Sequence, residues 1–216
     1  MEIIPREARR ITYSTEIRNL KKSFSFDDIQ KGLVIGSILG DGHLELNWSK
    51  TNYRLRIGHS AKQKDYLFWK YDILKDIVLS KPRYNKVGNS IFFGTISHSE
   101  ISELGRLFYR NGKKVIPEDI SKFMKNPIIV AVWFMDDGNA IIRSGKIYGY
   151  HLNTQSYTQE ENERISQVLK NTYGIENLLE MNHGKYRLRI MKKLSRDKFR
   201  QVIENYVIPS MKYKLG

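Results

Sequence analysis

The sequence of 216 residues contains no cysteine. This absence excludes disulfide bonds, thiolate zinc sites and cysteine nucleophiles, and it is consistent with a reducing compartment. Apolar runs of roughly 18 residues or more are also absent, so no membrane-spanning helix is expected. Residues 1–10 mix charges and lack an apolar core, so we expect no secretory signal peptide. An organelle (mitochondrion or chloroplast) or a prokaryotic cytoplasm is the expected location.

Acidic residues are scarce relative to basic ones. The chain has 23 Asp and Glu against 37 Lys and Arg, which gives a formal net charge of +14. So large an excess favours an anionic polymer as the partner. A membrane surface is the competing interpretation, but no long basic amphipathic helix is visible. Hydrophobic residues make up 40% of the chain, enough for a core, so we expect a folded protein.

Two apolar segments, 31–42 and 127–138, end in the same Asp-Gly pair. Both are predicted helices. The pattern of Ser25–Asp28 is that of a capping box, and Asn126 reads as an N-cap followed by proline at the first helical position. Both helices are expected to stop at their glycine.

The elements after each segment repeat as well. Each half is predicted to continue with strand, helix, strand and helix, and then to reach an Ile-Pro step. The predicted strands are 52–57, 90–96, 147–154 and 185–190, and the predicted helices are 62–78, 99–110, 159–173 and 195–206. The predicted organisation is a basic N-terminal arm (1–24), a first half (25–112), a linker (113–126) and a second half (127–216).

The repeat makes Asp41 and Asp137 equivalent positions. Hydrolysis of a phosphodiester commonly uses divalent metal, and Mg²⁺ is held by one or two carboxylates together with substrate phosphates. Two metals stabilise the attacking and leaving oxygens of one displacement. A single Asp-Gly turn after a helix is common and would mean little. Two copies in matched contexts on a basic chain favour a catalytic pair.

Close packing of the two predicted helices would bring these carboxylates together. Gly32, Gly36 and Gly40 recur every four residues and line one helix face, where another backbone can approach closely. Ala131 is the small residue of the second helix. We therefore expect the two helices to lie side by side.

Five segments form a specific combination that spans nearly the whole chain: Gly36–Leu44, Lys113–Pro117, Trp133–Gly138, Leu152–Tyr157 and Ile208–Leu215. Together they resemble the LAGLIDADG homing endonucleases of the single-chain, two-motif class, and look closest to the omega-type mitochondrial intron endonucleases. The resemblance implies an α+β fold with two pseudo-symmetric αββαββα halves. It also implies saddle-shaped antiparallel sheets over DNA and two central packed motif helices.

The resemblance further implies that Asp41 and Asp137 bind the metals, with the carbonyls of Gly40 and Asp136 as companion ligands. The cofactor would be Mg²⁺, with Mn²⁺ able to substitute. The side chain of Asp136 is the alternative ligand to that of Asp137, which is preferred because it aligns with Asp41 relative to glycine.

Lys114 and Lys214 match the family's active-site lysines, which stabilise charge or orient the attacking water. One departure concerns the helix interface, because Val132 stands in the second motif where Gly36 stands in the first. We expect this asymmetry to make one strand of the target be cut faster than the other.

Two predicted strands alternate cationic and apolar side chains, as half-buried strands do. Such strands can read base edges in a major groove, although a merely solvated sheet face is the alternative. Residues 183–216 hold ten Lys and Arg against two Asp and Glu. The five histidines show no metal-ligand spacing. The predicted DNA-contacting residues are Arg54, Arg56, Lys62, His151, Asn153, Gln155, Lys185, Arg187, Arg189, Lys192 and Lys193.

The predicted function is site-specific cleavage of double-stranded DNA at a long asymmetric target, by a monomer with an internal pseudo-dyad. The products would be double-strand breaks with short 3′ overhangs. The alternatives are an intron-encoded RNA splicing maturase on the same scaffold, a catalytically inactive DNA-binding regulator, and a mobile domain from an intein. Carboxylates and lysines in both halves count against the inactive regulator, and no splicing chemistry is visible.

Overall fold

A computed structural model of the protein describes residues 15–216, and the first part of the predicted arm, residues 1–14, lies outside them. The helices are α1 (Thr15–Ser23), α2 (Asp28–Leu39), α3 (Lys64–Leu74), α4 (Ser99–Phe108), α5 (Pro127–Asp137), α6 (Gln159–Tyr173) and α7 (Lys193–Ile203). The strands are β1 (His43–Leu46), β2 (Tyr53–Ser60), β3 (Arg83–Asn85), β4 (Ser90–Gly94), β5 (Tyr109–Arg110), β6 (Lys113–Lys114), β7 (Gly138–Arg143), β8 (Lys146–Leu152), β9 (Leu178–Asn182) and β10 (Lys185–Ile190).

The element order confirms the expected repeat. From α2 to α4 and again from α5 to α7, the chain runs helix, strand, strand, helix, strand, strand, helix. The two four-stranded sheets have the matching strand orders β1-β2-β4-β3 and β7-β8-β10-β9, and every neighbouring pair is antiparallel. Each hairpin brings one face of its strands to the helices, and the alternate side chains lie on the other face.

The chain divides into two compact units. Among the described residues, one contains 15–34 together with Asp41–Arg106, and the other contains Ile35–Gly40 together with Leu107–Gly216. The last turn of α2 therefore belongs to the second unit. The predicted linker, 113–126, is built into that unit, with buried apolar side chains at Ile116, Ile120 and Met124. The arm, half and linker boundaries given above stay predictions.

The start of α2 differs from the prediction. The N–H of Gln30 donates to Asp27 Oδ1 at 2.7 Å, and the N–H of Asp27 donates to Gln30 Oε1 at 3.3 Å. Asp27 and Gln30 thus form the reciprocal cap, because they have the three-residue spacing and the oxygens that a capping box uses. The box predicted at Ser25–Asp28 is wrong.

The two ends of α5 follow different rules. Its start is as predicted, with Asn126 Oδ1 accepting from the N–H of Ile128 at 3.2 Å and proline in the first turn. Its end has no left-handed stop, because Gly138 has an extended backbone with φ −96°. The chain therefore passes from the last helical residue, Asp137, straight into β7.

Glycines allow the end of α2 to lie against α5. A Cβ placed on Gly36 would lie 2.7 Å from Val132 Cβ and 2.8 Å from the carbonyl oxygen of Ile129. A Cβ on Gly40 would collide with the side chain of Asp136. The valine that breaks the symmetry of the motifs is thus accommodated by the glycine opposite it, and Val132, rather than Ala131, meets Gly36. Within residues 15–216, no helix combines the length and apolar character required to cross a membrane.

Candidate functional site

The first predicted lysine lies at the end of the first motif helix. Lys114, on β6, donates from Nζ to the carbonyl oxygen of Gly40. Gly40 is the residue immediately before Asp41 in the chain. The ammonium is half-buried, so its charge is held close to the end of the helix.

Two side chains of α6 hold the backbone beside Lys114. Glu161 Oε1 accepts from the N–H of Ile116 at 2.9 Å, and Arg164 Nη1 donates to the carbonyl of Ile116 at 2.6 Å. The short β5–β6 pairing, with Tyr109 opposite Lys114, fixes the other side. The lysine is therefore positioned by secondary structure and by two charged hydrogen bonds.

The second predicted lysine makes the same contact in the other motif. Lys214 lies in the 3-10 segment Pro209–Leu215 and donates from Nζ to the carbonyls of Met135 at 2.5 Å and Asp136 at 2.7 Å. Asp136 is the residue immediately before Asp137. Each motif helix therefore ends in a lysine-bound carbonyl followed by an aspartate.

The helix contact fixes which residues are equivalent. Gly36 meets Val132 and Gly40 meets Asp136, so both contacts join residues at the same spacing along the chain. That spacing also separates Asp41 from Asp137. The spacing agrees with the sequence alignment of Asp137 with Asp41, and which of Asp136 and Asp137 binds metal through its side chain stays a prediction.

Asp41 lies in the turn after α2, with 45% of its side chain exposed. Its Oδ2 atom is 3.5 Å from Nδ1 of His59, which is buried near the end of β2. The imidazole packs at 4.8 Å, centroid to centroid, on the ring of Tyr66. An open pocket of about 480 Å³ adjoins this carboxylate, and Arg56 and Phe92 are among the residues that line it.

Asp137 is the last residue of α5, and it is more exposed than the buried Asp136. Its carbonyl accepts from the N–H of Asn153 at 3.0 Å. Nearby, the buried Tyr157 donates from its hydroxyl to the carbonyl of Leu39 at 3.0 Å. Burial, together with the charge of Asp137, raises the pKa of Tyr157 well above its usual range, so the hydroxyl stays a donor.

The donors named at the two helix ends are oxygens: the carboxylates of Asp41 and Asp137 and the carbonyls of Gly40 and Asp136. Oxygen donors of this kind fit a hard divalent cation such as Mg²⁺. A carbonyl oxygen has two lone pairs, so the bound lysine leaves one of them for another partner.

On the first sheet, the predicted arginines share one acidic partner. Glu45, on β1, accepts from Arg54 Nη2 at 2.8 Å and from Arg56 Nη1 at 3.1 Å. The guanidinium of Arg56 also lies 4.7 Å from the ring centroid of Phe92 on β4. Burial raises the pKa of Glu45, but the two arginines outweigh this effect and lower it below its ordinary value. The carboxylate is therefore ionised at neutral pH.

On the second sheet, Glu180 of β9 holds three predicted DNA-contacting residues. It accepts from Arg187 Nη2 at 2.7 Å and from Arg189 Nη1 at 2.9 Å, and its Oε2 lies 3.0 Å from His151 Nε2. Asn153 joins this group, because Arg187 Nη1 donates to its Oδ1 at 3.4 Å. These predicted residues are thus brought together on one face.

The remaining predicted contact residues do not join these two clusters in the described hydrogen bonds. Gln155 donates to Asn182 at 3.2 Å, and Lys192 forms an ion pair with Glu176. The other three are exposed: Lys62, Lys185 and Lys193.

Sequence reasoning missed several residues of these sites, among them His59, Glu161, Arg164, Glu45 and Glu180. The two glutamates could be found only from the pairing of the strands. In that pairing Glu45 lies opposite Arg54, and Glu180 lies opposite Arg187. Glu45 and Arg54 are nine residues apart and Glu180 and Arg187 are seven apart, and these spacings indicate a contact only when the strand register is known.

Comparison with known proteins identifies the family. The profile of the LAGLIDADG DNA endonuclease family matches residues 31–199. The chain belongs to this family. The homing endonuclease I-WcaI, solved bound to its DNA recognition sequence, superposes on this LAGLIDADG protein with a TM-score of 0.83 and 28% identity. The match covers 94% of this chain and 93% of I-WcaI, which confirms the expected fold.

Curated relatives carry three kinds of name. Protein RecA of Mycolicibacterium chitae is 33% identical over 202 residues, and the match covers 87% of this chain but only 46% of that protein. DNA endonuclease I-ChuI of Chlamydomonas applanata is 29% identical over 207 residues, or 94% of its length. Cytochrome b mRNA maturase bI2 of Debaryomyces hansenii is 27% identical over 196 residues, or 72% of its length. The chain thus spans about half the length of the RecA relatives it matches.

Proposed function

We propose that this LAGLIDADG protein is a site-specific DNA endonuclease that hydrolyses one phosphodiester in each strand of a long asymmetric target, leaving short 3′ overhangs. The observation that carries the proposal is the equivalence of the two helix ends. Each ends in an aspartate, Asp41 or Asp137, directly after a carbonyl that accepts from a lysine. The likeness to I-WcaI and I-ChuI, named as endonucleases, supports the same activity.

In this proposal, Asp41 and Asp137 hold divalent metal, with the carbonyls of Gly40 and Asp136 as companions. The metal, when bound, supplies charge stabilisation for the attacking and leaving oxygens, and Mg²⁺ is the ion we propose, with Mn²⁺ as a substitute. Lys114 keeps a positive charge beside the scissile phosphate and orients the attacking water through its remaining N–H groups, and Lys214 does so in the second motif.

The sheet faces would hold the duplex. The cationic side chains of each sheet lie on the face opposite the buried apolar ones: Leu55 and Ile57 alternate with arginines on β2, and Leu188 and Ile190 do so on β10. Arginines on such a face can donate to guanine edges, and amides such as Asn153 can pair with adenine. The protein would act as a monomer, because both halves lie in one chain.

The first test replaces either carboxylate by its amide. We expect Asp41→Asn and Asp137→Asn each to slow double-strand cleavage by more than about 10³-fold while leaving DNA affinity nearly unchanged, because the metal loses a charged ligand. A duplex selected from a randomised library with Mg²⁺ serves as substrate, nicking of each strand is followed on gels, and affinity is measured by gel shift.

The matched control is Asp119→Asn, which removes an exposed carboxylate paired only at the surface with Lys122 at 3.0 Å. It should cleave like the wild type. Full cutting by both motif variants would contradict the assignment. Chelation of divalent metal should stop cleavage in every variant, and addition of Mg²⁺ or Mn²⁺ should restore it in the wild type.

The second test concerns the binding mode. We expect DNA affinity to fall steeply with salt, by roughly 0.9 log units per log unit of salt for each phosphate neutralised. A flat salt titration would contradict a duplex held on the cationic faces.

The likeness to maturase bI2 favours RNA splicing as the second candidate function. It predicts binding to a structured intron RNA that exceeds binding to the selected DNA duplex. Splicing assays with the purified chain on its flanking intron, run with wild type and Asp41→Asn, separate the two. Splicing that survives the loss of the carboxylate, with no DNA cleavage by the wild type, would favour the maturase.

A further inference from the structure

On each cationic face, an acidic side chain of an edge strand lies among the arginines, where it repels the phosphates that the face would bind. In the second sheet this residue is Glu180, and only 26% of its side chain is exposed. Arg187 donates from both Nε and Nη2 to the same carboxylate oxygen, Oε2, each at 2.7 Å, and charge-assisted hydrogen bonds of this length are strong. Arg189 occupies the second carboxylate oxygen at 2.9 Å. Both guanidinium groups are therefore fixed by one residue.

The contacts of Glu180 continue across the sheet. Arg187, on β10, donates onward to Asn153 Oδ1 at 3.4 Å, and Asn153 Nδ2 donates to Asn139 Oδ1 at 3.1 Å. Asn139 lies on β7, two positions after Asp137. One chain of hydrogen bonds thus crosses the whole sheet, from β9 over β10 and the end of β8 to β7, and Glu180 is its acidic end.

The charge of Glu180 is retained in the folded protein. Burial raises the pKa of this carboxyl, but the hydrogen bond and charge of Arg187, with His151 and Arg189, outweigh that effect and lower it below its ordinary value. An ionised acid on this face weakens binding to every phosphate backbone alike. The contribution of Glu180 to DNA binding must therefore be something other than higher affinity.

Glu180 can contribute by fixing the orientation of the two arginine side chains. A free arginine has many rotamers and meets a phosphate in most of them, whereas base readout demands one orientation of the guanidinium plane. An arginine already held by a carboxylate loses less conformational entropy when it docks on a base edge. The same ion pair also disfavours reorientation of the arginine toward the phosphates of an incorrect DNA sequence.

We infer that Glu180 is a specificity-determining positioning residue, whose carboxylate holds Arg187 and Arg189 for base readout and withholds them from phosphates. The inference rests on the proposed function. It assigns Glu180 to discrimination between DNA sequences and neither to cleavage nor to overall affinity.

The test compares wild type with Glu180→Gln, which keeps the shape and removes the charge. Dissociation constants are measured for the duplex that the wild type selects from a random library and for a scrambled duplex of equal length. For Glu180→Gln we expect binding to the scrambled duplex to tighten about threefold and the ratio between the two constants to fall about tenfold. The salt dependence should steepen by up to roughly 0.9 log units for each arginine that reaches a phosphate.

Two further variants separate positioning from charge and from folding. Glu204→Gln removes a carboxylate paired with Arg200 at 3.6 Å on α7, outside the strands, and should leave the ratio unchanged. Glu180→Asp keeps the charge with a shorter reach and should recover part of the lost ratio. A merely structural glutamate would weaken both duplexes equally and would not respond to this rescue.

An unchanged ratio in Glu180→Gln, or an equal change in Glu204→Gln, overturns the inference. So does equal weakening on both duplexes. Failure of the proposed function has a different signature, because then the wild type itself enriches no DNA sequence from the library. A wild type that selects a sequence, with a Glu180→Gln variant that selects it equally well, contradicts only the role of Glu180.

Discussion

On the first sheet, Glu45 holds two arginines of the neighbouring strand, and the hydrogen bonds described for these three residues' side chains join only β1 and β2. On the second sheet, Glu180 starts a hydrogen-bonded chain that crosses four strands. The motif helices differ in the same way, with Gly36 in one facing Val132 in the other. The two halves therefore share the element order and the positions of the proposed catalytic residues, and they differ in the side chains between these positions. An asymmetric DNA target demands that kind of difference.

The largest expected effect concerns the helix contact. Gly36→Val places branched carbons where Val132 and the carbonyl of Ile129 already lie, and a backbone atom cannot move aside cheaply. We expect a loss of about 3 kcal/mol or more in the free energy of unfolding, measured by urea denaturation. If the contact needs one small and one large residue, in either order, adding Val132→Gly to this variant should restore part of the lost free energy of unfolding.

The control for this prediction is Gly94→Ala on β4. A Cβ there meets only the carbonyl of Leu55 at 3.7 Å, which is an ordinary contact. Its stability should stay close to the wild type. A Gly36→Val protein as stable as Gly94→Ala would show that the contact between helices is loose.

The next effect concerns the two lysines. Lys114→Ala and Lys214→Ala should each slow cleavage by roughly 10- to 10²-fold with little change in affinity, because each removes a charge from a motif end. The slowing should differ between the two variants, because the two motifs differ at the contact of Gly36 with Val132. Single-turnover nicking rates for each strand measure the difference.

Each of these lysines has an exposed lysine close by as its control, Lys113 in the first case and Lys212 in the second. Alanine at either control position should lower affinity slightly and leave the rate constant unchanged. Equal rates for all four variants would refute an active-site role, and equal nicking of the two strands would contradict the asymmetry.

The smallest effect concerns pH. Burial, followed by the charge of Arg187, lowers the pKa of His151 from its ordinary 6.5, although Glu180 opposes the shift. As pH falls, the unfolded chain binds this proton first, so the stability due to neutral His151 is present above pH 6.5 and is lost as pH falls toward the folded-state pKa. The pKa values of Glu45 and Glu180 are also lowered from 4.5, so the stability that these carboxylates contribute is lost only when the pH falls below 4.5.

The free energy of unfolding should therefore decrease more between pH 7.5 and pH 5.5 for wild type than for His151→Gln. The control is His183→Asn, at an exposed turn with φ 49°, where asparagine is tolerated. It should follow the wild type. A pH dependence that is the same in His151→Gln and wild type would remove His151 as its source.

The sequence predicted the parts that repeat. Helix α6 and strand β10 were placed at their observed bounds, and the capped start of α5 was also predicted. The repeat indicated the two aspartates, and the resemblance added the two lysines. The structure shows these lysines in matching contacts, although the catalytic roles of all four residues stay predictions.

Other features were beyond local patterns. Strands β1, β3, β7 and β9 were implied by the resemblance but not located by local patterns. Strands β1 and β3 are only four and three residues long, and β7 follows a helix without a turn. The glutamates that hold the arginines became visible only through strand pairing. The fit of Gly36 to Val132 likewise depends on which residues face each other in space, and no spacing along one chain encodes that.

The contact between Gly36 and Val132 also limits how this protein can be recombined. Residues Ile35–Gly40 belong with the second unit although they come from the first motif. A chimera that joins the first half of one relative to the second half of another at residues 113–126 would separate this glycine from the valine it fits. Two copies of the second half would set valine against valine, and two copies of the first would leave a gap between glycines. The module that can be exchanged between relatives is therefore discontinuous, because Ile35–Gly40 of the first motif must be kept together with the second half.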